Sequence, residues 1–96
     1  MSISNPEARP ALHHVTLVTS EGCLSCLEAD EDLTALARAG RLRLTTLPAD
    51  SPDGAALVAR YRPVVFPLVL LDGSVFSTGH LPRRRLERSL TAAARR

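Results

Sequence analysis

The sequence predicts an α/β domain of three helices around a four-stranded mixed sheet, in the order β-α-β-α-β-β-α. Three observations predict it. A β-rich run, Val15–Val18, gives way at Cys23 to leucines at helical spacing. A second helix start, Ser51-Pro52-Asp53, leads into an almost continuous apolar run, Val64–Leu71. Asp72-Gly73 then turns the chain straight back. Strand–helix–strand steps favour parallel pairing, whereas a tight hairpin must be antiparallel, so the sheet is mixed.

The elements follow in order. Val15-Thr16-Leu17-Val18 is a short strand closed by Ser20-Glu21-Gly22. From Cys23 to about Ala39, Leu24, Leu27, Leu33, Leu36 and Ala37 fall near one helix face, with Asp30, Glu31, Asp32 and Arg38 largely off it. Gly40 is the stop. Leu42, Leu44 and Leu47, interleaved with Arg and Thr, form a second strand. Ser51 caps the next helix, Pro52 takes its first position and Asp53 meets its positive end. That helix runs to about Tyr61, where Arg62-Pro63 breaks it. Val64–Leu71 is the central-strand candidate, interrupted by Pro67. After the Asp72-Gly73 hairpin come the strand Ser74–Thr78 and Gly79. Leu86, Leu90 and Ala93 then mark a last helix ending at Arg95-Arg96.

At 96 residues, 45% hydrophobic and 23% charged, the chain has the size and balance of one globular domain. Residues 12–96 form that domain, and 1–11 read as a flexible leader without the apolar stretch of a secretory signal. No apolar run approaches the roughly 20 residues of a membrane span. A net charge of +2 and three aromatic residues argue against nucleic acid as a partner. The expected setting is the cytoplasm, and the expected state a monomer. Two cysteines without an export signal, spaced Cys23-Leu24-Ser25-Cys26, are a redox pair or half of a metal site.

The tight Gly22 turn places Cys23 at a helix N-terminus, where unpaired N–H groups and the helix dipole favour an anion. A thiolate is such an anion, and lowering a cysteine pKa from about 8.5 to about 7 makes it half ionised at neutral pH. Cys26 lies on the same face, deeper, placed to resolve a mixed disulfide formed on Cys23. The acidic residues of this helix temper the effect. Pro67 fits its apolar run if the Phe66–Pro67 bond is cis, with the strand starting at Leu68.

Cys23-Leu-Ser-Cys26, Phe66-Pro67, Leu70-Leu71-Asp72-Gly73 and Gly79, in this order, resemble the thioredoxin/glutaredoxin superfamily, most nearly the small glutaredoxin-like proteins. The resemblance spans His14 to Ala94. It implies a thioredoxin-like three-layer sandwich and thiol–disulfide oxidoreductase activity. In that reading Cys23 is the nucleophile, Cys26 the resolving thiol and Pro67 the cis-proline. The backbone of Phe66 pairs with the substrate chain. Gly79 stands where the family has a double glycine after its last strand. The expected partner is a disulfide-containing protein or a small-molecule thiol. No bound cofactor is expected beyond an external reductant, either glutathione or a reductase. The sequence lacks a Trp before Cys23, a Gly-Pro between the cysteines and a Thr before Pro67, which sets it apart from standard members.

Arg83, Arg84 and Arg85 crowd the first turn of the last helix, the wrong end for cations. One reading is a solvated face partly offset by Glu87. The other is an anion site in which Arg83 and Arg84, with Arg62 and His80, receive glutathione carboxylates or an acidic partner protein. The rival to an enzyme is a binding module whose cysteines hold a metal or a structural disulfide. His13 and His14 would complete a Cys₂His₂ zinc site only if the strand aimed them at the cysteines.

Overall fold

Alternation and capping account for each element of the computed structural model, which describes residues 12–94, with side chains described to residue 91. The elements are β1 (His13–Thr19), α1 (Leu24–Arg38), β2 (Leu42–Pro48), α2 (Pro52–Tyr61), β3 (Leu68–Leu71), β4 (Ser74–Thr78) and α3 (Arg83–Ala94). The expected leader, residues 1–11, and the end at Arg95-Arg96 lie outside the described residues.

The sheet order is β2-β1-β3-β4. β1 runs parallel to β2, with Val15 opposite Leu44, and antiparallel to β3, with Leu17 opposite Val69. β3 and β4 form the antiparallel hairpin, its turn carried by Asp72 and Gly73, both at positive φ. The mixed four-stranded sheet and the element order are those that the hydrophobic pattern predicts.

Two apolar clusters, one on each face, make three layers. On one face Val15, Leu17 and Val69 pack with Ala29, Leu33 and Leu36 of α1 and with Leu86 and Leu90 of α3. On the other, Val18, Leu68 and Leu70 pack against Leu57, Val58 and Tyr61 of α2 and against Phe66. Burying a leucine such as Leu33 or Leu86, both 0% exposed, contributes about 1.5–3 kcal/mol each. Gly54 lets α2 approach β2, since a Cβ there would stand 1.9 Å from the Pro48 carbonyl oxygen.

Within the apolar run Val64–Leu71 the strand begins at Leu68, the start expected of a cis Phe66–Pro67 bond, because Pro67 cannot donate to the ladder and Val64–Phe66 form an irregular loop. One expectation is corrected. The core face of α1 is Cys26, Ala29, Leu33 and Leu36. At 100° per residue Leu24 and Leu27 fall on the opposite side, and they are 68% and 63% exposed.

Candidate functional site

The C-terminal end of β1, the loop before β3 and the turn after β4 converge at one pole of the sheet. Gly22, at φ 70°, turns the chain from β1 into α1. Only a residue without a Cβ adopts that conformation at no steric cost. The turn sets Cys23 in extended conformation as the N-cap of α1.

Cys23 uses its side chain as serine or aspartate would at a cap: Sγ accepts the Cys26 backbone N–H at 3.1 Å. The Cys23 carbonyl accepts from the backbone N–H of Cys26 at 3.1 Å and of Leu27 at 3.2 Å, closing the first turn. No carboxylate lies in that first turn, so none there offsets the positive end of the helix at the sulfur. Cys23 and Cys26 are paired as a disulfide, with Cα atoms 5.2 Å apart, inside the range such a bridge requires. The two sulfurs are unequal. Cys23 is partly exposed, and Cys26 is 3% exposed at the head of the core stripe of α1.

The facing wall is the loop before β3. The Phe66–Pro67 peptide bond is cis, and the Phe66 carbonyl oxygen lies 3.7 Å from Cys23 Sγ. Pro67 is buried, and its carbonyl accepts the Gly79 N–H at 2.9 Å, tying the loop to the end of β4. A Cβ at Gly79 would come within 3.1 Å of Val65 Cγ2. Cys23, Cys26, Phe66, Pro67 and Gly79 are thus brought together by the fold.

The arginines are only partly so. Arg83 turns toward the protein, donating to Asp32 at 3.5 Å and to Glu87 at 3.3 Å. Arg84 is exposed in a groove of about 460 Å³ lined by Asp32, His80, Leu81, Pro82 and the α3 arginines. The histidines go elsewhere. His13 Nδ1 pairs with Asp72 Oδ2 at 2.5 Å and His14 Nε2 hydrogen-bonds with Thr45 Oγ1 at 2.7 Å. Both open β1 while the cysteines follow its close, about 20 Å along the strand, so the four cannot share one ion.

Sequence reasoning missed an apolar rim. Leu24, Leu27, Val64 (94% exposed) and Val65 stand exposed on the two segments that flank Cys23. The signal lay in the helical wheel, where Leu24 and Leu27 oppose the stripe begun by Cys26, and in Pro67, which keeps the two valines out of the sheet.

No protein-family model matches the sequence, and no curated protein matches it closely enough to count as a relative. Solved structures do match. The chain is similar to an uncharacterized thioredoxin-like protein from Clostridium perfringens, with TM-score 0.65 and 16% identity over 95% of this chain and 79% of that one. Fasciola hepatica thioredoxin gives 0.61 and 18% over 92% and 86%. Thioredoxin f2 of Chlamydomonas reinhardtii gives 0.60 and 14% over 85% and 80%. The chain has the thioredoxin-like fold, with a Cys-x-x-Cys pair at disulfide distance.

Proposed function

We infer that the protein is a thiol–disulfide oxidoreductase. One observation carries the reading: a partly exposed Cys23 sulfur sits at the N-cap of α1 and accepts a backbone N–H, while its partner Cys26 is buried behind it. The same contact that satisfies a disulfide sulfur weakly would stabilise a thiolate strongly.

In the reduced protein the Cys23 thiolate attacks one sulfur of the partner's disulfide. That S–S bond breaks, one partner thiol is released with a proton from solvent, and a mixed disulfide to Cys23 forms. Cys26, deprotonated, then attacks Cys23 Sγ and releases the second partner thiol. The partner gains two electrons and the Cys23–Cys26 pair loses two. An external thiol reductant, glutathione or a reductase, restores the dithiol.

Phe66, Pro67 and Gly79 form the wall against which the partner lies, and in this reading the backbone of Phe66 pairs with an extended chain. The rim of Leu24, Leu27, Val64 and Val65 favours a disulfide carried on a protein over a small polar one.

The test is turnover of a neutral disulfide with a thiol reductant, alongside Cys26→Ser. Turnover by the native pair, with the variant arrested as a mixed disulfide on Cys23, is the expected result. Absence of both, or stoichiometric metal on the cysteines as purified, replaces the reading with a binding module of the same fold.

A further inference from the structure

We propose that the groove between α1 and the start of α3 docks an acidic segment of the protein partner, and that Arg84 and Arg88, rather than Arg83, receive it. This rests on the exchange reading above. Four arginines stand within the first six residues of α3. Two already have partners within the fold. Arg83 is held by Asp32 and Glu87, and Arg85 donates to the Phe76 carbonyl at 2.5 Å with its guanidinium 4.6 Å from that ring's centre. Arg84 and Arg88 are exposed and have no carboxylate within ion-pair distance among the described residues.

Their arrangement is unfavourable as it stands. The two are one turn apart on a single helix face, where like charges repel. Arg84 also lies in the first turn of α3, at its positive end. Pro82, whose carbonyl accepts the Leu86 N–H, offers that end no side-chain acceptor. The carboxylates within reach, Asp32 and Glu87, serve Arg83. An external anion would relieve all of this at once, and His80 adds a hydrogen-bonding edge to the same groove.

Position selects the class of anion. The groove adjoins the disulfide through short steps: Cys23 Sγ to the Phe66 carbonyl, Pro67 to Gly79, and Gly79 to its neighbour His80. On the α1 side, Asp32 lies nine residues beyond Cys23, about 13 Å along the helix. An extended chain rises about 3.3 Å per residue, so a partner held by its cysteine at Cys23 reaches the groove with side chains about four positions away. A small thiol whose carboxylates lie one residue from its sulfur falls short. The occupant that fits is a polypeptide with glutamate or aspartate at that spacing.

The experiment uses the full chain and disulfide-linked reporter peptides that differ only in Glu or Gln about four residues from the cysteine. At low salt the Glu peptide exchanges about tenfold faster, in the range that electrostatic steering supplies. High salt removes the advantage, as does the Arg84→Gln/Arg88→Gln double variant, whereas Arg43→Gln on β2 retains it. Equal rates for the two peptides overturn the docking. So does an advantage that survives in the double variant, or free glutathione that competes as well as the Glu peptide does. Binding of a Glu peptide with serine in place of its cysteine, followed by fluorescence anisotropy, is independent of exchange. Its absence overturns the docking alone, and failure of a neutral disulfide to react overturns the exchange reading.

Discussion

In the exchange reading Cys23 does two jobs with one sulfur: it caps α1 and it presents the reactive atom. Replacing it by serine puts an oxygen acceptor in place of the sulfur for the Cys26 N–H, so Cys23→Ser is expected to fold with nearly native stability while losing all exchange. Denaturant unfolding of the reduced proteins together with an activity assay checks both halves. At the far pole, Asp72 shows a different use of a polar side chain. Burial raises its pKa, but the His14 backbone N–H, together with the hydrogen bond and charge of His13 and the charge of His14, outweighs burial and leaves the carboxyl below its usual value. A folded pKa below the unfolded one means stability present above the unfolded value, near 3.9, and lost as pH falls through the folded value. Asp72→Asn, which tolerates the positive φ of this turn, is expected to be less stable than the native chain at neutral pH. The gap closes as acid protonates the native carboxyl, and a pH series of denaturant midpoints measures it. A gap that widened toward low pH would have the wrong sign.

Among the elements, α1 separates packing from presentation. Leu33 is 0% exposed and Leu27 63%, on the same helix. Leu33→Ala is expected to cost about 2–5 kcal/mol. Leu27→Ala should stay within about 0.5 kcal/mol, by the same unfolding measurement. Helix α2 depends on its ends. Ser51 Oγ accepts the Gly54 N–H at 3.0 Å, and Ser51→Ala is expected to cost about 1 kcal/mol of unfolding free energy. The cap of α2 was legible in Ser51-Pro52-Asp53 because cap, proline and acid all act within one turn. The hairpin was legible in Asp72-Gly73 for the same reason. The true start of β3 followed once Pro67 was treated as a boundary. The orientation of α1 was not, because a run rich in leucine offers two apolar faces and only the packed partner chooses between them. Nor was the split among the α3 arginines legible, since Asp32 is 51 residues distant in sequence from Arg83.

Over the whole molecule, the two poles of the sheet carry different chemistry. One opens β1 and holds the histidine–aspartate contacts. The other collects Cys23 and Cys26, the Phe66–Pro67 loop and Gly79 from three separate stretches of chain. That convergence follows from topology. A parallel β1–β2 pair sends α1 off the end of β1, while antiparallel β3 starts at that same end, opposite Val18. Much of this was readable because the order of elements fixes which chain ends meet. Among the described residues, no helix is long and apolar enough to cross a membrane. The central claim is that this convergence activates Cys23. It is tested most directly by the pH dependence of Cys23 alkylation in the reduced Cys26→Ser protein with a small neutral reagent. The account predicts an apparent pKa clearly below the free-cysteine value of about 8.5. A value at or above it would contradict the account, leaving a cap and a disulfide without a nucleophile.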